Sequence, residues 1–302
     1  MNVLEVRAVS KQYGSKKVLK DLSFSIPRGA IFGFVGENGA GKTTTMKLIL
    51  GLDEMTSGEI YINGEKVRFG ETATNRMTGY LPDVPEFYDY MTSTDYLMLC
   101  AEITQIPKNK RQARVAEMLS LVGLEQSKSK IKGFSRGMKQ RLGIAQALLN
   151  EPEFLICDEP TSALDPSGRN EFLDLLASLK NRVTILFSTH ILSDVERICD
   201  QVGILHKGSL QVVGEIDVLK ERYAQPQIEI VFENTGEAEQ FVEQTTQIIK
   251  EQHESQVFVS YSETYPLAFA ELIAQLSQFN LTAKSIRHIA PSLEQIYLEV
   301  TK

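Results

Sequence analysis

Two domains of unlike kind are predicted: an α/β domain over residues 1–225 and a small α+β domain over 226–302. Three observations predict this. Over the first two thirds of the chain, strand-like apolar runs are mixed with helical periodicity, and in the later part of that stretch the two alternate, which favours parallel pairing through crossover helices. Around Tyr223-Ala224-Gln225-Pro226 the pattern restarts. Charge divides at the same place. The net charge is −7, and residues 226–302 carry four Lys/Arg against eleven Asp/Glu, so the first 225 residues are neutral.

In the first domain, strands are predicted over 2–9, 30–35, 59–62, 77–81, 153–158, 183–189 and 201–205, each a short apolar or alternating run. Helices are predicted over 41–50, 93–103, 108–122, 135–149 and 167–179. In the second domain, 227–232 reads as a strand. A helix follows over 236–251, with Phe241, Val242, Ile248 and Ile249 on one face. Residues 256–261 alternate like a strand, and 266–279 form a helix with Phe269, Ile273 and Leu276 on one stripe. The domain closes with a strand over 282–289 and a helix over 292–298.

Composition excludes several classes. The 302 residues, 42% hydrophobic and 24% charged, suit about two folded domains rather than a disordered chain. No apolar run approaches the roughly 18–20 residues of a membrane-spanning helix, and the start of the chain reads as a strand rather than a signal peptide. Cys100, Cys157 and Cys199 are far apart and in no metal-ligand spacing, so they read as small buried hydrophobes in a reducing compartment. An acidic tail on a neutral domain is repelled by nucleic acid and by anionic lipid, so any membrane attachment comes through a protein partner.

The chemistry begins after Ile31-Phe32-Gly33-Phe34-Val35, where Gly36-Glu37-Asn38-Gly39-Ala40-Gly41-Lys42-Thr43-Thr44 fits G-x-x-x-x-G-K-[ST] between a strand and a helix. Glycines let the backbone curl so that successive N–H groups point at phosphate oxygens, and the following helix adds its positive end. Lys42 then reaches the β/γ-phosphates and the Thr43 hydroxyl is placed for Mg²⁺. The apolar strand 153–158 delivers Asp158 and Glu159 at its carboxyl end, where α/β sites form; Asp158 suits Mg²⁺ and Glu159 suits the attacking water. His190 follows the strand 183–189 at the same predicted edge, within reach of a γ-phosphate. No arginine finger is evident, so charge neutralisation must come from elsewhere.

Phe134-Ser135-Arg136-Gly137-Met138-Lys139-Gln140-Arg141 opens a helix before the acidic strand. With the phosphate loop, Asp158-Glu159, Ser162-Ala163-Leu164-Asp165 and His190, it makes residues 1–225 resemble the ATP-binding subunits of ABC transporters. The resemblance implies a P-loop NTPase fold of the ABC type, an α/β domain with a helical subdomain. It also implies ATP and Mg²⁺ as ligands and a head-to-tail pair of ATPase subunits, the same or different. Ser135 and Gly137, at the signature position, then cap the γ-phosphate held by the other chain, with a hydroxyl, backbone N–H groups and a helix N-terminus. The match further assigns Gly36, Asn38, Gly39, Gly41, Lys42, Thr43 and Thr44 to phosphate binding, Tyr13 to stacking on adenine, and Asp165 to the loop that communicates across the dimer.

Three positions, in two motifs, depart from the family pattern. Asp83, after Gly79-Tyr80-Leu81-Pro82, stands where Gln is usual; it can ligate Mg²⁺ but cannot donate a hydrogen bond. Arg136 and Met138 replace Gly and Gln, and Arg136 either adds charge near the trans phosphate or points to solvent. Phe87, Tyr88 and Tyr90 form an aromatic loop in the region where the resemblance implies docking of a helix of the membrane subunit, unless they fold back on the core. Lys108, Lys110, Arg111 and Arg114 read as a solvated helix face, and Lys128, Lys130 and Lys132 as a loop; neither is a nucleic-acid surface. The tail stretch 291–299 resembles the C-terminal extension of some bacterial exporter ATPases. Together these imply a transport-coupled ATPase, cytoplasmic and peripheral on the inner face of the cell membrane, with an integral membrane permease as partner. The alternative is a soluble, non-transport ABC ATPase acting on nucleic acid or the ribosome.

Overall fold

The computed structural model describes residues 1–70, 73–125, 127, 129–223, 226–289 and 292–301. Lys128, the Ala224-Gln225 break and Pro291 lie outside these residues. The chain divides into two compact units, Met1–Ile216 and Asp217–Val300.

In chain order the first unit contains β1 (Asn2–Tyr13), β2 (Lys16–Pro27), β3 (Ile31–Val35), α1 (Lys42–Ile49), β4 (Ser57–Ile62), β5 (Glu65–Lys66), β6 (Thr78–Leu81), α2 (Ser93–Ile103), α3 (Lys108–Leu121), α4 (Arg136–Ala147), β7 (Phe154–Asp158), α5 (Pro166–Ser178), β8 (Thr184–Thr189), α6 (Leu192–Ile198), β9 (Gln201–His206) and β10 (Ser209–Glu215). An antiparallel sheet of order β2-β1-β4-β5 accompanies a six-stranded sheet of order β10-β9-β3-β8-β7-β6. In the larger sheet only β10 runs antiparallel. Every residue of β3, β7 and β8 is buried, which explains their largely apolar sequences, with Asp158, Ser188 and Thr189 at the carboxyl ends of β7 and β8. Because these three are adjacent and parallel, the segments leaving their carboxyl ends share one sheet edge. Helices α2, α3 and α4 pack on one another between β6 and β7 in sequence, as the predicted helical subdomain.

The second unit holds α7 (Ile216–Tyr223, from its second residue), β11 (Gln227–Phe232), α8 (Thr235–Gln244), β12 (Ile248–His253), β13 (Gln256–Ser260), α9 (Tyr265–Gln278), β14 (Ala283–Ile289) and α10 (Leu293–Val300). Its sheet, β12-β13-β11-β14, is antiparallel throughout. Alternate residues Ile228, Ile230 and Phe232 of β11 point into a core with Phe241, Val257, Val259 and Leu272.

Several elements differ from the sequence expectation. The helix expected over 236–251 ends at Gln244, and Ile248–His253 is a strand paired with β13. Ile248 and Ile249 fit a helical face by spacing, but their β-branched side chains also suit a strand, and the partner strand decides. Strand β1 runs on to Tyr13. Strands β2 and β10 and helices α6 and α7 were not expected at all. In β2 the alternation is blurred by Lys16, Lys17 and Lys20 and by register shifts against β1.

Candidate functional site

The loop after β3 turns on glycines whose positions the backbone dictates. Gly39 has φ +86° and Gly41 φ +114°, the left-handed region. A Cβ at Gly36 would stand 2.5 Å from the Leu205 carbonyl oxygen, and one at Gly41 2.5 Å from Leu19 Cδ2. The loop therefore lies tight against β9 and β2, and it delivers Lys42 at the first turn of α1. Gly36 and Gly41 are buried, Asn38 and Gly39 exposed, and Thr44 half-buried. This gives the loop one face packed on the sheet and one open to a ligand.

Four groups meet at the shared sheet edge. Lys42, 6% exposed, donates to the Gly36 carbonyl at 2.6 Å and to that of Glu37 at 3.3 Å, and its Nζ lies 3.1 Å from Glu159 Oε1. The other Glu159 oxygen, Oε2, is 2.9 Å from His190 Nδ1. Glu159 adopts φ +46°, unusual for a residue with a Cβ, and its N–H donates to the Ser188 carbonyl at 2.9 Å. This strained turn aims the carboxylate between Lys42 and His190. Asp158 is buried; its Oδ2 accepts from the Thr43 hydroxyl and its Oδ1 from Ser188, each at 3.2 Å. Burial raises the Asp158 carboxyl above its ordinary range, and the Thr43 and Ser188 hydrogen bonds offset part of that shift.

Thr43 and Asp158 fit a magnesium ion. Both offer hard oxygen donors, and among the described residues no group of three His, Cys, Asp or Glu gathers to hold a metal. Mg²⁺ commonly binds through one or two protein oxygens and keeps water or phosphate as its other ligands, which suits this donor pair.

The other expected site residues stand apart from this cluster. Ser135 caps α4, its hydroxyl accepting from the Met138 N–H at 3.2 Å, and it is exposed beside the half-buried Gly137. The Asp83 carboxylate is taken by the Ser162 hydroxyl at 2.8 Å and by Arg136 at 3.4 Å, while Gln140 donates to the Asp83 carbonyl. Arg136 is exposed, as the solvent reading has it, and its guanidinium also lies 3.4 Å from its own chain's Asp83. Tyr13 is half exposed; its hydroxyl meets Asp53, and Lys11 Nζ lies 4.5 Å from its ring centroid. Lys11 and Tyr13 together hold the Asp53 carboxyl below its ordinary range.

Tyr88 and Tyr90 are exposed side by side, but Phe87 turns inward, edge-on to Tyr96 at 5.1 Å. The basic helix face is only partly solvated: Arg111 donates to the Ile106 carbonyl and Arg114 to those of Leu148 and Leu149. They fasten the helical subdomain rather than facing water. Among the cysteines Cys157 is buried, whereas Cys100 and Cys199 are only half-buried.

Residues 19–162 match the family model described as ABC transporter. The chain is 44% identical over 221 residues to the ABC transporter ATP-binding protein YxlF of Bacillus subtilis, covering 73% of each chain. It is 44% identical over 223 residues to the bacitracin transport ATP-binding protein BcrA of Bacillus licheniformis, covering 73% of this chain and 72% of that one. Similarity to the linearmycin resistance ATP-binding protein LnrL of Bacillus subtilis is lower, 30% identity, but extends over 99% of this chain and 98% of the other. Among solved structures, an ATP-binding subunit of an ABC transporter superposes with a TM-score of 0.66 at 36% identity, covering 73% of this chain and 93% of that one. A dimeric ATP-binding cassette in a post-hydrolysis state with ADP and Pi gives 0.63 at 25% identity, covering 70% and 98%.

Proposed function

The chain belongs to the ATP-binding subunits of ABC transporters, and from that membership we propose how its own residues bind and hydrolyse ATP. It is an ATPase subunit of a transporter, and the relatives that match it favour transport over a role on nucleic acid or the ribosome. One observation carries the assignment of roles: Glu159 is held at once by Lys42 at 3.1 Å and His190 at 2.9 Å, on the strand edge where the phosphate loop ends.

Lys42 exchanges Glu159 for a γ-phosphate oxygen when ATP binds, because its ammonium prefers the more highly charged partner. Glu159, released from Lys42, polarises the attacking water as general base. His190, half exposed at the mouth of the site, contacts the γ-phosphate and keeps Glu159 oriented. Gly36, Asn38, Gly39, Gly41 and Thr44 supply the loop that takes the phosphates, and Tyr13 offers the exposed ring for adenine. Thr43 and Asp158 would hold Mg²⁺, with Asp83 in reserve, and the bound ion would supply charge neutralisation to the phosphates. Asp83 serves there only after giving up Ser162 and Arg136.

Ser135 and Gly137 face a second ATPase subunit, identical or not, and complete its site by presenting a helix N-terminus to its phosphate. ATP then closes the pair and hydrolysis reopens it. A membrane permease subunit converts that motion to transport, with the ATPase on the inner face of the membrane; no helix among the described residues is long and apolar enough to cross it. Export is our reading of direction, supported by relatives named for bacitracin transport and linearmycin resistance.

The test is to purify tagged Glu159→Gln protein with ATP from detergent-solubilised native cells and identify stoichiometric partners by mass spectrometry. A polytopic membrane protein is the expected partner. Ribosomes or soluble proteins alone would overturn the transport assignment.

A further inference from the structure

Thr161 and Asp194 lie outside the phosphate loop, the acidic strand end and the signature, yet the fold buries both side chains to 2% exposure. Their contacts are short and directed. Asp194 Oδ2 accepts from the Thr161 hydroxyl at 2.7 Å. Asp194 Oδ1 takes both Nε of Arg169 at 2.7 Å and Nη2 at 2.5 Å. The same Arg169 reaches Ser193 Oγ at 3.1 Å, so one guanidinium from α5 grips two successive residues of α6.

The position of these residues along the chain gives the contact its meaning. Thr161 is two residues beyond Glu159, in the turn where Ser162 N–H donates to the Glu159 carbonyl. Asp194 is four residues beyond His190, in the first turn of α6, and its N–H donates to the Ile191 carbonyl. Going from Glu159 to Thr161 by backbone, to Asp194 by hydrogen bond, back along the chain to His190, and to Glu159 Oε2 across 2.9 Å closes a ring. The Thr161–Asp194 bond and the Glu159–His190 pair are the two cross-links of that ring. Stability alone does not require a carboxylate here, since a well-packed apolar group commonly serves as well as a buried ion pair. What a carboxylate adds is direction, because it fixes the distance and angle of two partners at once.

We propose that Asp194 is a positioning residue for hydrolysis, acting through Thr161 and α6 to hold Glu159 and His190 in register. The inference rests on the roles given above to Glu159 and His190. Arg169 is the brace that keeps the Asp194 carboxylate facing Thr161. A misplacement of about 1 Å at reacting groups can cost on the order of a hundredfold in rate, so loosening this ring lowers turnover without touching the surface that binds nucleotide.

The experiment measures kcat and KM for ATP on full-length Asp194→Asn and Thr161→Val, with Thr161→Ser as the conservative control. Thr161→Val removes one hydroxyl and leaves the Arg169–Asp194 pair intact, so it remains informative if Asp194→Asn folds poorly. The expected result is a fall in kcat of roughly tenfold or more in each, KM within about twofold of wild type, and recovery in Thr161→Ser. In a His190→Ala background, Asp194→Asn should add little further loss, because both act through one pair. Unchanged kcat in Asp194→Asn and Thr161→Val, or a full multiplicative loss in the double variant, overturns the proposal. If His190→Ala and Glu159→Gln themselves keep wild-type turnover, the reading of the site fails instead.

Discussion

Lys42→Met removes a cation that already has partners within the folded chain. In the structure its ammonium donates to the Gly36 carbonyl at 2.6 Å and pairs with Glu159 at 3.1 Å, with 6% and 14% of the two side chains exposed. Losing one partner of a buried pair costs about 3–5 kcal/mol, and a hydrogen bond from a charged donor about 1.5–3 kcal/mol of that order. Glu159 keeps His190 and some solvent, so the lower bound of about 3 kcal/mol applies. For a unit of this size each kcal/mol moves Tm by about 2–4 °C, which gives a drop of roughly 6–12 °C. Scanning calorimetry reads this directly. Saturating ATP at about a hundred times Kd should add about 2.7 kcal/mol to the wild type and nothing at that concentration to the variant. A variant that melts within roughly 2 °C of wild type and still gains stability with ATP would refute both halves of the reasoning.

Three further outcomes are expected. Burial holds Asp158 above its unfolded value, so folding takes up a proton in the window between the two and this group's stabilisation is lost as pH rises through it. Asp158→Asn should therefore melt higher than wild type at neutral pH without ligand, with the gap closing toward acid, while Mg²⁺-dependent hydrolysis is lost; a lower Tm at neutral pH would contradict this. Gly36→Ala places a Cβ 2.5 Å from a backbone carbonyl that cannot yield, and should destabilise by about 1–3 kcal/mol and weaken ATP binding in titration calorimetry. Wild-type affinity and stability there would be the contrary result. Phe241→Ala removes the ring that packs on Phe232 at 5.4 Å in the second unit's core. Amides of β11 and β13 should lose about 3–5 kcal/mol of exchange protection, and unchanged protection would disprove the packing account.

The parts of the site that could be read from sequence are those whose chemistry is local in the chain. Gly36 to Thr44 run from one loop into α1, and their spacing alone points to phosphate; Asp158 and Glu159 end one strand and take their meaning beside that loop, and Ser135 caps one helix and takes its meaning from the family resemblance. Asp194 carries no such mark. A carboxylate in the first turn of a short helix is an ordinary sequence feature, and only the approach of Arg169 and Thr161 from elsewhere gives it a task. The pairing of Asp83 with Arg136 and Ser162 is hidden for the same reason, since it joins residues 53 and 79 positions apart. In the second unit, Ile248 and Ile249 satisfy a helical stripe and a strand equally, and the partner β13 settles the matter. Arg111 and Arg114 looked solvated because sequence does not show the carbonyls of Ile106, Leu148 and Leu149 waiting beneath them.

Glu159 is the proposed base, held ready by the phosphate-loop Lys42 and by His190. Hydrolysis of bound ATP by Glu159→Gln, followed alongside its ATP affinity, tests it most directly. The prediction is affinity close to wild type and hydrolysis slower by about 10²–10⁴, the usual cost of losing a general base. Hydrolysis at the wild-type rate with ATP fully bound would contradict it.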